Sequence, residues 1–184
     1  MNRFYISIAS NILPKTNIES AIARLREVAT VTSISRCYIT QAIAAPNDAP
    51  GTQYPQFINC VALIESANNI RDFKYKILQP IENALGRIRT SNKYSPRTID
   101  LDILLFNNDV ICADGIEIPD PDILDRWFLQ AAILDIDPEA VLPTTLEPLK
   151  HRLQELKSRG IPPQHSFIID DDLRKRLTGA HSSQ

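Results

Sequence analysis

The stretch Ser95-Pro96-Arg97-Thr98-Ile99-Asp100-Leu101-Asp102-Ile103-Leu104-Leu105-Phe106 constrains this chain more than any other. From Ile99 to Phe106 it is dense in branched and aromatic side chains, which suit a pleated, half-buried surface, so a β-strand is predicted. Side chains alternate across a strand. Leu101, Ile103 and Leu105 are therefore expected on one face, with Asp100 and Asp102 on the other. Two residues along a strand cover about 6.5–7 Å, which sets the two carboxylates side by side. Left unpaired they repel one another, and one pKa rises. A divalent cation removes that conflict.

The rest of the chain predicts what this strand pairs with. Residues 4–9 read as a first strand, followed by a turn at Ser10-Asn11 and Pro14. Asn17 is a plausible N-cap for a helix over about residues 17–29, where Ile18, Ala21, Ile22 and Leu25 share one face. Residues 31–40 read as a second strand and residues 57–65 as a third. Between them, 41–55 form a long loop of the kind that is often functional. Asn68 or Asn69 opens a helix to about residue 85, kinked at Pro80 and ended by Gly86. A second long loop, 86–98, leads into the acidic strand. Asn107-Asn108 is expected to turn that strand into a short hairpin returning through residues 109–111. The order strand, helix, strand, strand, helix, strand is the split βαβ arrangement. The fold expected is therefore α+β and ferredoxin-like (βαββαβ), an antiparallel sheet with helices on one face and the other face left for a site. C-terminal helices are predicted over residues 121–135, 147–159 and 170–177, the first with Trp127, Phe128, Ala131 and Leu134 as its buried stripe, together with a short extra strand at 166–169. Residues 1–178 read as a single domain and 179–184 as a flexible tail.

Composition narrows the function. Net charge is −2, so no global field favours nucleic acid or anionic lipid, and neither partner is expected. The apolar runs fall far short of the roughly 18 residues of a membrane span, and the N-terminus lacks the layout of a secretory signal. Cys37, Cys60 and Cys112 are odd in number and without CxxC spacing, which fits buried reduced thiols in a cytoplasmic protein. Against this balance, residues 86–97 hold four cations (Arg87, Arg89, Lys93 and Arg97) and no acid. Arginine offers bidentate donors to phosphate oxygens and never loses its charge. Beside Asp100 and Asp102 such a loop completes a layout for phosphoryl transfer, with carboxylates on magnesium and arginines on the remaining charge. A solvated basic loop beside an incidental acidic pair fits the same residues.

Residues 95–106 are very similar to the signature G-P-R-T-[LI]-D-L-D-[IL]-L of 6-hydroxymethyl-7,8-dihydropterin pyrophosphokinase. The resemblance runs over roughly residues 3–145 and is carried by several further motifs in order. Tyr5-Ile6-Ser7-Ile8-Ala9-Ser10-Asn11 resembles the opening strand and turn, and Phe57-Ile58-Asn59 resembles [YF]-[LI]-N. The run from Glu82 to Arg89 resembles E-x-x-x-G-R-x-R, and Arg126-Trp127-Phe128 with Pro138 resembles R-x-F and its downstream proline. The resemblance implies that a cytoplasmic, monomeric enzyme of folate synthesis passes the β,γ-pyrophosphoryl unit of ATP to the pterin's primary hydroxyl, releasing AMP. It implies two Mg²⁺ on Asp100 and Asp102, with ATP as co-substrate. It implies catalytic roles for Arg97 and Arg89 with the two aspartates. ATP contacts would come from Arg87, Arg89, Lys93, Arg97 and Arg126, and pterin contacts from Thr40, Phe57, Asn59 and Phe128. Tyr94 stands on the loop expected to close over the ligands.

Some family positions differ. Asp120 replaces a histidine and adds a carboxylate that repels triphosphate unless a cation intervenes. Asp122 replaces a basic or neutral residue, and Ala42 a proline. Ala9 and Ser95 replace glycines, which restricts the backbone if positive φ is required there. These losses motivate an alternative reading, a non-catalytic pterin- or nucleotide-binding relative that has lost part of the ATP site.

Overall fold

The computed structural model describes residues 1–42, 54–90, 94–161 and 168–179. Two long strands, β1 (Asn2–Ser10) and β4 (Phe57–Ser66), pair antiparallel along their whole length, Asn2 opposite Ser66 and Ser10 opposite Ile58. The acidic strand β5 (Asp100–Phe106) pairs antiparallel with the other side of β1. Both β2 (Thr30–Ile34) and β3 (Tyr38–Thr40) pair antiparallel with β4, and β10 (Ile168–Ile169) covers the outer edge of β3. Helix α1 (Pro14–Val28) links β1 to β2, and a helical run over residues 70–84 links β4 to β5. This is the ferredoxin-like antiparallel order expected from the pattern of periods.

Several local expectations change, each for a physical reason. The strand expected over 31–40 is split, because Ser35 substitutes its hydroxyl for a ladder carbonyl: its Oγ accepts from Val61 N–H at 2.9 Å while its own N–H donates to Val61 O at 2.9 Å. Helix α1 starts at Pro14, whose fixed φ suits a first helical position, behind Leu13 at φ 43°. Asn17 does not cap; its amide donates to Ile12 O at 2.6 Å. The run 70–84 is capped by Asn69, whose Oδ1 accepts from Asp72 N–H at 2.8 Å. It comprises α2 (Ile70–Asp72), a π-helical turn (Phe73–Leu78) and α3 (Gln79–Ala84). The π turn stands where a kink at Pro80 was expected: proline offers no N–H, and Gln79 N–H reaches back five residues to Lys74 O.

The acidic strand carries a bulge. Tyr5 lies opposite Leu105 and Ile6 opposite Ile103, so Leu104 is the extra residue. Leu101, Ile103 and Phe106 therefore face one core, while Leu104 and Leu105 both face the other, which corrects the expected place of Leu105. The first core packs the sheet on α1, the 70–84 run and α7 (Asp171–Thr178). Asp170 caps α7 through Leu173 N–H, and Gly179 ends it at φ 69°.

The second core lies on the opposite face, under α5 (Trp127–Ile136) and α6 (Leu149–Ser158). The helix expected over 121–135 is broken at Arg126, which is extended, leaving α4 (Asp122–Asp125) ahead of α5. Instead of one apolar stripe, Trp127 through Ile133 are all buried, because α5 is sandwiched between the sheet and α6. A small pair, β8 (Val141–Leu142) with β9 (Glu147–Pro148), connects the two helices. The C-terminal helices thus cover half of the face that the sequence left free, and the half beside Asp100 and Asp102 stays open. The segment after Asn107 does not return along the acidic strand. Instead β6 (Ile111–Ala113) pairs with β7 (Ile116–Ile118) across a turn at Asp114-Gly115. That hairpin exposes Cys112, which had been expected to be buried, while Cys37 and Cys60 are buried.

Candidate active site

A cavity of about 710 Å³ occupies the open half of the sheet, a size typical of small-molecule sites. Asp100 and Asp102 of β5, Ser7 and Ala9 of β1, Thr40 of β3, and Phe57 and Asn59 of β4 line it from the sheet. Tyr94, Ser95 and Arg97 close one side, and Asp120, Asp122, Asp125, Arg126 and Phe128 the other.

The acidic pair is built from below. Helix α3 ends in paired bonds, Gly86 N–H to Asn83 O and Arg87 N–H to Glu82 O, both at 3.0 Å, with Gly86 at φ 75°. The chain leaves this cap so that Arg87 turns inward. Its guanidinium donates to Ile99 O at 3.0 Å and meets Asp100 Oδ1 at 3.0 Å, with both side chains nearly buried. Arg97 holds the other oxygen of Asp100. Glu82, 1 % exposed, accepts from Leu101 N–H at 3.0 Å and pairs with Arg89. Burial raises the Glu82 carboxyl above the usual carboxylate range against the pull of that N–H and Arg89. One buried carboxylate therefore ties the helix end, the basic loop and the backbone between the two aspartates together. Only its place within the E-x-x-x-G-R-x-R motif hinted at this.

Arg97 itself is held by the end of β1. Asn11 accepts from Arg97 N–H at 2.7 Å through Oδ1 and donates its own N–H to Arg97 O at 3.1 Å, while Ser10 Oγ donates to Thr98 O at 2.5 Å. Neither Ala9 nor Ser95 stands at positive φ, so the missing glycines leave no strain. Arg87, Arg89 and Arg97 gather around an adjoining hollow of about 180 Å³. Arg126 lies across the main cavity and pairs with Asp122 at 2.8 Å. Lys93 lies outside the described residues.

Asp102 differs from Asp100. Its side chain is exposed to the cavity, beside the other acids, and no described side chain pairs with it. Burial, and then the charges of Asp100, Asp120 and Glu82, push its carboxyl up to about 7. Asp120 reaches this cluster because its N–H donates to the carbonyl of the bulged Leu104 at 2.9 Å. Burial raises the Asp120 carboxyl too. The sequence showed the acid but not the bulge that brings it to Asp102, and Asp125 on the rim was missed. Among the described residues, no group of three or more His, Cys, Asp or Glu is placed to hold a metal. Two carboxylates suit Mg²⁺, a hard cation that keeps waters and substrate phosphates as its other ligands.

The opposite end of the cavity is aromatic. Phe57 and Phe128 both line it. Asn59 Nδ2 donates to Tyr38 O at 3.1 Å and to Thr40 Oγ1 at 3.0 Å. Both amide hydrogens are thereby engaged, which leaves the Asn59 carbonyl oxygen as an acceptor.

Residues 5–138 match the model of the family described as 7,8-dihydro-6-hydroxymethylpterin-pyrophosphokinase. The chain is 36% identical over 138 residues to 2-amino-4-hydroxy-6-hydroxymethyldihydropteridine pyrophosphokinase of Bacillus subtilis, covering 73% of this chain and 78% of that one. It is 32% identical over 179 residues to the folic acid synthesis protein fol1 of Schizosaccharomyces pombe, covering 96% of this chain and 23% of that protein. Among solved structures, the HPPK-DHPS of Plasmodium falciparum crystallised with pteroate superposes with a TM-score of 0.67 at 13% identity, covering 86% of this chain and 45% of that one. The chain thus spans less than a quarter of the fission-yeast protein and less than half of the Plasmodium chain.

Proposed function

The chain belongs to the 7,8-dihydro-6-hydroxymethylpterin-pyrophosphokinase family, and from that premise we propose that it transfers the pyrophosphoryl group of ATP to 6-hydroxymethyl-7,8-dihydropterin, an early reaction of folate synthesis, and releases AMP. One observation carries the reading. One cavity is lined by an acidic pair backed by arginines at one end and by two phenylalanines and a buried amide at the other. Such an enclosure accommodates a polyphosphate beside a flat heterocycle.

The residues divide the work as follows. Phe57 and Phe128 stack on the two faces of the pterin. Asn59, with its Nδ2 engaged, accepts from a donor on the ring edge, and Thr40 fixes the amide's orientation. Arg97, Arg89 and Arg126 neutralise phosphate oxygens as charge moves towards the leaving AMP, a task of alignment and charge compensation that needs no covalent nucleophile. Arg87 faces Asp100 and acts by holding that carboxylate, not by gripping ATP. Asp100 and Asp102 would hold two Mg²⁺. Bound there, the metal supplies Lewis-acid neutralisation of the phosphates. Tyr94, on the rim, limits water entry, which matters because hydrolysis of ATP is the competing reaction. The working unit is a cytoplasmic monomer. Among the described residues no helix is long and apolar enough to cross a membrane.

Asp120 and Asp122 on the cavity wall favour one second reading, a relative that binds pterin without turnover, since extra carboxylates oppose ATP. Incubation with ATP, Mg²⁺ and 6-hydroxymethyl-7,8-dihydropterin decides between them. Formation of AMP, not ADP, supports transfer; binding of the pterin without AMP supports the second reading.

A further inference from the structure

Helix α5 ends with an acid in an unfavourable place. Asp135 lies in its last turn, where unpaired carbonyls make the potential negative, and that turn carries no basic residue. Its compensation comes from across the second core. Arg36 donates from Nε to Asp135 Oδ1 at 2.9 Å and to Oδ2 at 3.1 Å, from Nη2 to Oδ1 at 2.6 Å, and from its backbone N–H to Oδ2 at 3.1 Å. The Tyr38 hydroxyl donates to Oδ2 at 2.9 Å. Arg36 lies in the break between β2 and β3, and Tyr38 opens β3, so one carboxylate ties the helix end to the start of that strand.

Both joined elements carry residues of the aromatic end of the cavity. Phe128 and Asp135 lie seven residues apart on α5, close to two turns, and so share nearly one face. On the other side, Tyr38 is opposite Asn59 in the sheet, its carbonyl receives the Asn59 amide, and Thr40 follows two residues on. The Tyr38 ring, 1 % exposed, stands edge-on to Trp127 with centroids 5.9 Å apart, and Trp127 is edge-on to Phe128 at 6.1 Å.

We propose that Asp135, acting through Arg36 and Tyr38, is a positioning residue that sets the gap between Phe128 and the Asn59–Thr40 wall, and so the affinity and orientation of the pterin. The proposal rests on the assignment of that end of the cavity to the pterin. A gap between stacking surfaces tolerates little error, because dispersion contact falls steeply within the first ångström of separation. Most of the nucleotide end does not depend on this brace: Asp100, Arg87 and Arg97 are held by α3 and the end of β1, and of the cations assigned to ATP only Arg126 adjoins α5.

A second contact of the same kind supplies the control. The Tyr5 hydroxyl donates to Asp137, tying the same helix end to β1 instead of to β3. The test compares Tyr38→Phe, Arg36→Ala and Asp135→Asn with Tyr5→Phe. Fluorescence of Trp127, the single tryptophan, reports binding of 6-hydroxymethyl-7,8-dihydropterin. Calorimetry reports binding of a non-hydrolysable ATP analogue with Mg²⁺, and thermal melts report stability. Loss of a buried hydrogen bond to a charged group predicts about tenfold weaker pterin binding in Tyr38→Phe, Arg36→Ala and Asp135→Asn, with ATP-analogue affinity within about twofold of wild type. Tyr5→Phe lowers the melting temperature yet keeps pterin affinity within about twofold. Unchanged pterin affinity in Tyr38→Phe and Arg36→Ala overturns the proposal, as does equal weakening in Tyr5→Phe or equal loss for both ligands. Wild-type protein that binds ATP analogue but no pterin removes the assignment of the cavity itself, and the brace with it.

Discussion

Asp102→Asn should stabilise the metal-free protein while abolishing its activity. The carboxyl is pushed from 3.8 to about 7 by burial and by three neighbouring acids. Taken at face value, that rise is roughly 4 kcal/mol of disfavoured charge. Asp102 opens to cavity water, however, and solvent screening reduces the figure to about 1 kcal/mol. In a chain of this size, about 1 kcal/mol corresponds to roughly 2–4 °C in melting temperature. The sign follows from linkage. A carboxyl whose folded pKa lies above its unfolded value favours the fold fully below the unfolded value, and this contribution is lost as pH rises from about 4 towards 7. The gain from asparagine should thus be absent near pH 4 and complete near pH 8. Calorimetric melts of both proteins in chelator across that range measure it. Added Mg²⁺ should raise the wild-type melting temperature more at pH 8 than near pH 4, and should do little for the variant. A lower melting temperature for Asp102→Asn at pH 8, or a gain independent of pH, refutes the crowding argument.

Other substitutions separate the two ends of the cavity. Phe128→Ala should weaken pterin binding by about 1–3 kcal/mol, the usual loss of a stacking face, with the KM for ATP unchanged in initial-rate assays. Arg87→Met should cost about 3 kcal/mol of stability in denaturant melts, because it leaves Asp100 short of one of its two guanidinium partners in a nearly buried place. Arg97→Ala should lower kcat by about 10²–10³, with a smaller effect on folding, if this side chain serves the reacting phosphates as proposed. Asp120→His should tighten calorimetric binding of an ATP analogue by removing a raised carboxyl from the cavity wall. Equal or weaker binding there contradicts the electrostatic reading of that position.

Much of this protein is legible in its sequence, for reasons that particular residues make clear. The acidic strand and the basic loop are dense local signals, and the six-element order follows from where periods of two and of 3.6 alternate. What escaped was non-local or depended on one hydrogen bond. The bulge at Leu104 comes from the register against β1, and no pattern within residues 100–106 announces it. The same bulge carries Asp120 to Asp102, so the crowding of the acids was hidden with it. Ser35 breaks a continuous β-like run through its hydroxyl, a choice that depends on Val61 across the sheet. The inward turn of Arg87 follows from the cap at Gly86. Composition alone made it one of four equivalent cations. The covered half of the second face required α5 to be buried on nearly every side, whereas its sequence suggested a single stripe.

The most direct measurement is an anomalous-scattering map of crystals grown with Mn²⁺ and a non-hydrolysable ATP analogue. Metal peaks are expected between the Asp100 and Asp102 carboxylates and the analogue's phosphates, with Arg97 on the same phosphate chain. Phosphates bound with no metal at this pair, or a metal held elsewhere in the cavity, would contradict that placement.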